Sequence, residues 1–152
     1  MKFRVLNPSA LPKGYFFAAI GVACILVSSC GGSSTTSLEL AKQNVAQFHS
    51  QLNSEQYAVL YSASDEKLHQ ATSESDFVKL LEAIHRKLGT AQQSDLRNTG
   101  IAWFMGQGAT VTLVYDTKFA EGNASEKFVW HIKDNKATLY GYNINSSELV
   151  TK

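Results

Sequence analysis

The chain has 152 residues, 14 Lys and Arg against 13 Asp and Glu, a formal charge of +1 at neutral pH, and two cysteines. It carries no Lys/Arg cluster and no basic stripe interleaved with aromatics, so the electrostatic footprint that a nucleic-acid backbone demands is missing. A chain of this size suits one domain with a core of its own.

Lys2, Arg4 and Lys13 precede residues 16–27 (FFAAIGVACILV), an apolar run of signal-peptide length that ends at small residues. A membrane-spanning helix needs about 20 apolar residues, and Ser28, Ser29, Cys30, Gly31 and Gly32 arrive before that. Val27-Ser28-Ser29-Cys30 resembles the bacterial lipobox. The resemblance implies signal-peptidase cleavage between Ser29 and Cys30 and a diacylglycerol on the Cys30 sulfur, making membrane lipid a partner. An ordinary secretory cleavage nearby is the alternative. Each buried acyl methylene contributes about 0.8 kcal/mol, and two chains on one residue hold firmly where one holds marginally. Gly31, not Asp, follows the cysteine, which by the same resemblance points to a cell-envelope location, lipid-anchored in an outer membrane and facing the periplasm. Loss of Lys2, Arg4 and Lys13 with the leader leaves eleven basic residues against thirteen acidic ones, a charge near −2. If the lipobox resemblance holds, Cys24 leaves with the leader and Cys30 is acylated, so no thiol remains for disulfides, cysteine catalysis or thiolate metal sites.

The expected organisation is a leader over residues 1–29, a lipidated cysteine and flexible tether over 30–37, one domain over 38–145, and a tail over 146–152. Thr36 with Glu39 can form a capping box, and Ala41, Val45, Phe48 and Leu52 recur at helical spacing, which predicts a first helix over 38–52. Ser54 can cap a second, short helix around Tyr57, Leu60 and Tyr61. Residues 62–72 read as a polar connection anchored by Leu68. Ser73 and Asp76 then open a third helix with Phe77, Leu80, Leu81, Ile84 and Leu88 on one face and Gly89 past its end.

Beyond Gly89 the period changes to alternation. Turn signals at Gly106-Gln107-Gly108, Glu121-Gly122-Asn123 and Asp134-Asn135 separate strands predicted over 92–105, 109–119, 125–133 and 137–145. Val111, Leu113, Tyr115, Thr117 and Phe119 alternate with Thr112, Asp116 and Lys118; Phe128, Trp130 and Ile132 alternate with Lys127, His131 and Lys133. The expected fold class is α+β: N-terminal helices packed on a curved antiparallel four-stranded sheet. The element order is similar to the cystatin-like, nuclear-transport-factor-like cone. Within it, residues 77–89 (FVKLLEAIHRKLG), 115–119 (YDTKF), 126–129 (EKFV) and 139–142 (LYGY) resemble a bacterial family of small envelope lipoproteins whose function is unassigned. Such proteins often carry Trp at the start of the last strand, where this chain has Ala137.

Chemistry is sparse. His49, His69, His85 and His131 form no H-x-H pair and no H-E-x-x-H, and each reads as a solvated or core-edge histidine, with no metal expected. Asp65-Glu66 suits a helix or turn start better than an acid-base pair. Gly106-Gln107-Gly108 precedes a strand, so it is hairpin chemistry and not a phosphate cradle. Tyr57, Tyr61, Trp103, Tyr115, Trp130, Tyr140 and Tyr142 are candidates to line an apolar pocket, with core packing as the simpler reading.

The expected function is a membrane-tethered, non-enzymatic binding or interaction module with no cofactor, engaging an envelope protein or a small ligand. One rival is an isomerase- or dehydratase-like enzyme, in which Asp116 or His131 would have to sit beside Tyr115, Tyr140 or Tyr142; alternation puts Asp116 and Tyr115 on opposite faces. The other is a structural component that forms a homodimer through the exposed sheet face.

Overall fold

The computed structural model describes residues 33–151. The leader, the Ser29/Cys30 cleavage point, Cys30 itself and the first part of the tether lie outside the described residues. Four helices precede the sheet and one short helix follows it: α1 (Ser33–Asn53), α2 (Tyr57–Ser62), α3 (Glu66–Ala71), α4 (Glu74–Leu88), β1 (Ala91–Phe104), β2 (Gly108–Phe119), β3 (Gly122–Lys133), β4 (Lys136–Asn145) and α5 (Ser147–Thr151). The fold is α+β, an open four-stranded antiparallel sheet in the order β1-β2-β3-β4 with helices packed against it. No helix among the described residues is long and apolar enough to cross a membrane.

α1 begins five residues before the expected start, so residues 33–37 are helical and Thr36 cannot serve as a cap. Once Ala41, Val45, Phe48 and Leu52 are docked in the core, no breaker stands between Gly32 and Leu38, and propagation adds a bond for each residue fixed. Glu39 turns instead to Lys42 one turn on, at 2.9 Å. The other end of α1 is pinned to the sheet. The Asn53 amide donates to the Ala91 carbonyl at 2.9 Å and its oxygen accepts from the Ala91 N–H at 2.8 Å, as a strand neighbour would.

The connection expected over 62–72 contains a helix. Asp65 caps α3 by accepting from the Lys67 N–H at 3.0 Å, and Leu68 is the buried anchor. α4 matches its sequence signals: Ser73 accepts from the Asp76 N–H, Phe77, Leu81, Ile84 and Leu88 are buried, and Gly89 follows with φ +75°. Leu80 departs from that face and is 39% exposed. The C-terminal segment also differs from a plain tail: α5 is held by Lys87 Nζ donating to the Leu149 carbonyl at 2.6 Å.

β2 and β3 alternate in burial as their sequences require, with Ala109, Val111, Leu113, Tyr115, Thr117 and Phe119 facing the helices beside Ala124, Glu126, Phe128, Trp130 and Ile132. Shifts of register at Ala91/Gln93 and Leu96/Asn98 in β1, and at Val129/Trp130 between β3 and β4, insert extra residues and bend the sheet. The last of these brings Leu139 opposite Trp130 and Tyr142 opposite Phe128, so both lie over the core although they are three residues apart. β1 differs from the inner strands, being half-buried or exposed along its whole length. Its helix-side residues, paired with Tyr115, Val111 and Ala109, are Leu96, Ile101 and Trp103, and the helices leave them uncovered.

Gly108 closes the β1–β2 hairpin at φ +90°, where a Cβ would collide with the Ile132 carbonyl oxygen. Gly108→Ala is therefore expected to destabilise the fold by about 1–3 kcal/mol, while Gly106→Ala, with open space at φ +73°, costs less. Urea denaturation of the two variants checks the order.

Candidate functional site

Three places in the domain gather polar chemistry. The first is a network buried beneath α1. Glu126 stands on β3 in phase with Phe128 and Trp130, which puts its carboxylate on the core side with no exposure. A buried carboxylate must be hydrogen-bonded, and this one is: Tyr142 Oη donates to Oε1 at 2.7 Å, and His49 Nε2 meets Oε2 at 2.8 Å. His49 Nδ1 faces the Ser94 hydroxyl at 3.4 Å, which contacts Thr117 Oγ1 at 3.0 Å. Phe128 packs edge-on to His49 and tilted against Tyr142. Burial, and then the charge of Glu126 and the hydrogen bond to it, push the Tyr142 hydroxyl well above its usual range. Tyr142 is thus a neutral donor. Every member of the chain from Tyr142 to Thr117 is engaged by another, so the network locks α1 onto β1, β3 and β4 and presents no free group to a reactant.

The second cluster joins α3 to the hairpins. Asp65 Oδ2 accepts from Thr138 Oγ1 at 2.9 Å and meets His131 Nδ1 at 3.0 Å, while His131 Nε2 donates to the Gln107 carbonyl at 2.7 Å. Both ring nitrogens face acceptors, which favours the imidazolium. The Gln107 carbonyl first, and then Asp65, raise the His131 pKa above 6.5. Burial pushes Asp65 up, but the Lys67 N–H, His131 and Thr138 outweigh it, and its pKa is lowered below 3.8. His131 lies on the sheet face away from the core, beside Phe104, Thr110 and Tyr140. The expectation of a merely solvated or core-edge histidine understates it: this residue ties the β1–β2 turn to the start of α3.

The remaining histidines are also engaged. His69 Nε2 meets the Tyr61 carbonyl at 2.8 Å and the Ser64 hydroxyl at 2.9 Å, and His85 Nδ1 lies 3.3 Å from the Leu52 carbonyl. Among the described residues no group of three or more His, Cys, Asp or Glu is placed to hold a metal ion. Asp116 is half-exposed on the outer face and paired with Arg97, whereas Tyr115 is buried on the inner one.

The third place is a cleft between α1, the end of α2 and the start of β4. Its apolar wall is Leu40, Phe48, Leu60, Trp130, Ala137 and Leu139; the amides of Asn44, Gln47, Gln51 and Asn135 and the ammonium of Lys136 supply polar tips. The volume is ≈ 380 Å³, within the range of small-molecule sites. Trp130 is 5% exposed. Its indole N–H is buried and has no acceptor, alone in this among the side-chain nitrogens and oxygens of the described residues. An unmatched buried donor costs about 1–3 kcal/mol, a cost that the two networks above avoid.

The seven aromatics singled out in the sequence are therefore not gathered at one site. Trp130 lines the cleft; Tyr57 and Tyr115 are core residues; Tyr142 serves Glu126. Tyr61 is half-buried and bonds the Thr72 carbonyl at 3.0 Å. Tyr140, 39% exposed, stands near His131 on the outer side, and Trp103, 51% exposed, sits at the hairpin end of β1. Glu126 was not among the candidates, although its alternation with Phe128, Trp130 and Ile132 places a charge in a buried register. No protein-family model matches this chain, and no curated protein sequence does.

Glu126→Ala, which strands the His49 and Tyr142 donors, is expected to cost about 3–5 kcal/mol, and Tyr142→Phe about 1–3 kcal/mol; chemical denaturation measures both. The Asp65–His131 pair adds a pH dependence. A raised His131 pKa contributes stability that is full below 6.5 and lost as pH rises through the raised value. A lowered Asp65 pKa contributes stability that is full above 3.8 and lost as pH falls through the lowered value. The pair is most effective between those two ordinary values. Thermal melts from about pH 6 to about pH 9 are expected to show a fall in Tm that His131→Gln reduces.

Proposed function

We propose that this chain is a lipid-tethered protein of the bacterial cell envelope, anchored through Cys30, whose domain works by binding in the α1/α2/β4 cleft and not by catalysis. The observation that carries the reading is the cleft itself, an apolar wall rimmed by amides, with Trp130 in that wall and its indole N–H buried without a partner. The apolar wall takes a ligand's hydrocarbon part, and a ligand oxygen that displaces the wall enough to reach the indole supplies the missing acceptor. The occupant is a small amphipathic molecule: an apolar body, one acceptor for the indole, and polar groups for Asn44, Gln47 and Gln51 at the mouth. Two further points support it. The acid and base candidates, His49 with Glu126 and His131 with Asp65, are held in internal hydrogen bonds that a proton-transfer role would have to break. Ala137 lines the cleft, and the envelope-lipoprotein family that the sequence resembles often carries Trp at that position, a ring that would occupy the space.

The site is tested by following the two indole N–H resonances in a nitrogen-15 correlation spectrum, assigned with Trp103→Phe, during titration with anilinonaphthalene sulfonate and with a lipid extract of the envelope. A downfield shift of the Trp130 resonance, abolished by Ala137→Trp at unchanged Tm, is expected. An unmoved Trp130 resonance with both additions overturns the assignment. The anchor is tested separately by the mass of the Cys30 peptide and by release of Cys30→Ser into the soluble fraction.

A further inference from the structure

The β1–β2 hairpin ends in three consecutive large apolar residues that the fold does not use. Trp103 is 51% exposed, Phe104 54% and Met105, the first residue of the turn, fully so; Gly106 and Gly108 follow with positive φ. Turns ordinarily carry small polar residues, and exposed apolar side chains ordinarily occur singly. The register separates these side chains in space. Trp103 pairs with Ala109 and Phe104 with Gly108, so the tryptophan lies on the helix side of the sheet and the phenylalanine on the outer side, with Met105 beyond both.

The location of this tip narrows its partner. Trp103 lines a shallow concavity with Thr36, Ser37 and Leu40 of α1 and with Asp134 and Asn135 of the β3–β4 turn. The apolar tip, the second hairpin turn and the first turns of α1 thus share one end of the domain. Cys30 precedes Ser33, the first residue of α1, by three positions. Three residues span at most about 11 Å, so an acyl group on Cys30 keeps this end, and not the opposite one, close to the bilayer. Exposed Lys133 and Lys136 flank the second turn, where they can meet anionic headgroups.

We propose that the hairpin tip formed by Trp103, Phe104 and Met105 enters the interfacial region of the membrane, as a second contact beside the acyl anchor. The proposal rests on the lipid-anchored reading of Cys30. A protein partner or a second copy of the chain would cover one face of the strand; here both faces and the end are apolar, which suits immersion in a medium that surrounds the tip. Tryptophan is the side chain enriched at that depth, and the turn is stiffened for the task by the Gln107 N–H donating to Phe104 at 3.0 Å and by His131 holding the Gln107 carbonyl. The two contacts together fix which way the domain, and the cleft beside Leu40 and Asn135, faces.

The test uses the full chain, produced with its leader and reconstituted into phosphatidylethanolamine/phosphatidylglycerol vesicles whose acyl chains carry bromine, a short-range quencher of tryptophan. The expected result is a loss of emission in the native protein that exceeds that of Trp103→Phe, which reports Trp130 alone, and that is reduced in Phe104→Ser/Met105→Ser. A diacylated Cys30 with Trp103 open to aqueous acrylamide and untouched by bromolipid overturns tip insertion while leaving the anchor intact. Trp103 shielded from both quenchers, with concentration-dependent sedimentation in detergent, overturns it in favour of a second copy. An unmodified Cys30 with Trp103 still quenched by bromolipid supports insertion and removes the anchor.

Discussion

The domain is organised around a carboxylate placed where a carboxylate is expensive. Glu126 sits on the core side of β3 between aromatic rings, and the position is tolerable only because Tyr142 from β4 and His49 from α1 bring donors to its two oxygens. Those donors come from elements far apart in the chain. The requirement to satisfy one buried charge therefore fixes the rotation of α1, the register of β4 relative to β3, and through Ser94 and Thr117 the approach of β1. A hydrophobic contact would tolerate sliding by a fraction of a turn; a charge with two short hydrogen bonds does not.

A second polar knot works at the periphery. Asp65 is both the cap of α3 and the partner of His131, and His131 in turn holds the turn after β1. Its strength depends on an imidazole proton, in contrast to the first network, where the Tyr142 hydroxyl stays protonated. Between the two knots lies the cleft with its incomplete indole. The proposed binding role draws on that contrast: the other buried side-chain nitrogens and oxygens of the described residues are matched, so the mismatch at Trp130 is local.

The apolar end of the hairpin fits the same picture on a larger scale. A long edge strand with uncovered Leu96, Ile101 and Trp103 is a liability for aggregation, and a proposed bilayer contact at its tip would hold that edge at a surface where copies of the chain lie in one orientation.

Much of this architecture was legible in the residues. The period of Phe77, Leu81, Ile84 and Leu88 between Ser73 and Gly89 specifies α4, and the alternation from Val111 to Phe119 specifies β2, because those signals are local and each is enforced by one buried face. The start of α1, the extent of the helix over 66–71 and the exposure of Leu80 were not legible, since each depends on which neighbour a segment meets. The bulge at Val129/Trp130 is likewise invisible in sequence, yet it decides that Tyr142 reaches Glu126 while Tyr140 stands on the other side. By itself, then, the sequence determined the long helices, the four strands, their order and which faces of β2 and β3 are buried, because backbone periodicity and turn chemistry act within a few residues. Only the tertiary structure decided which polar groups are matched and which is left over, because a hydrogen bond between residues 77 positions apart, as between His49 and Glu126, exists only once helix and sheet have been brought together.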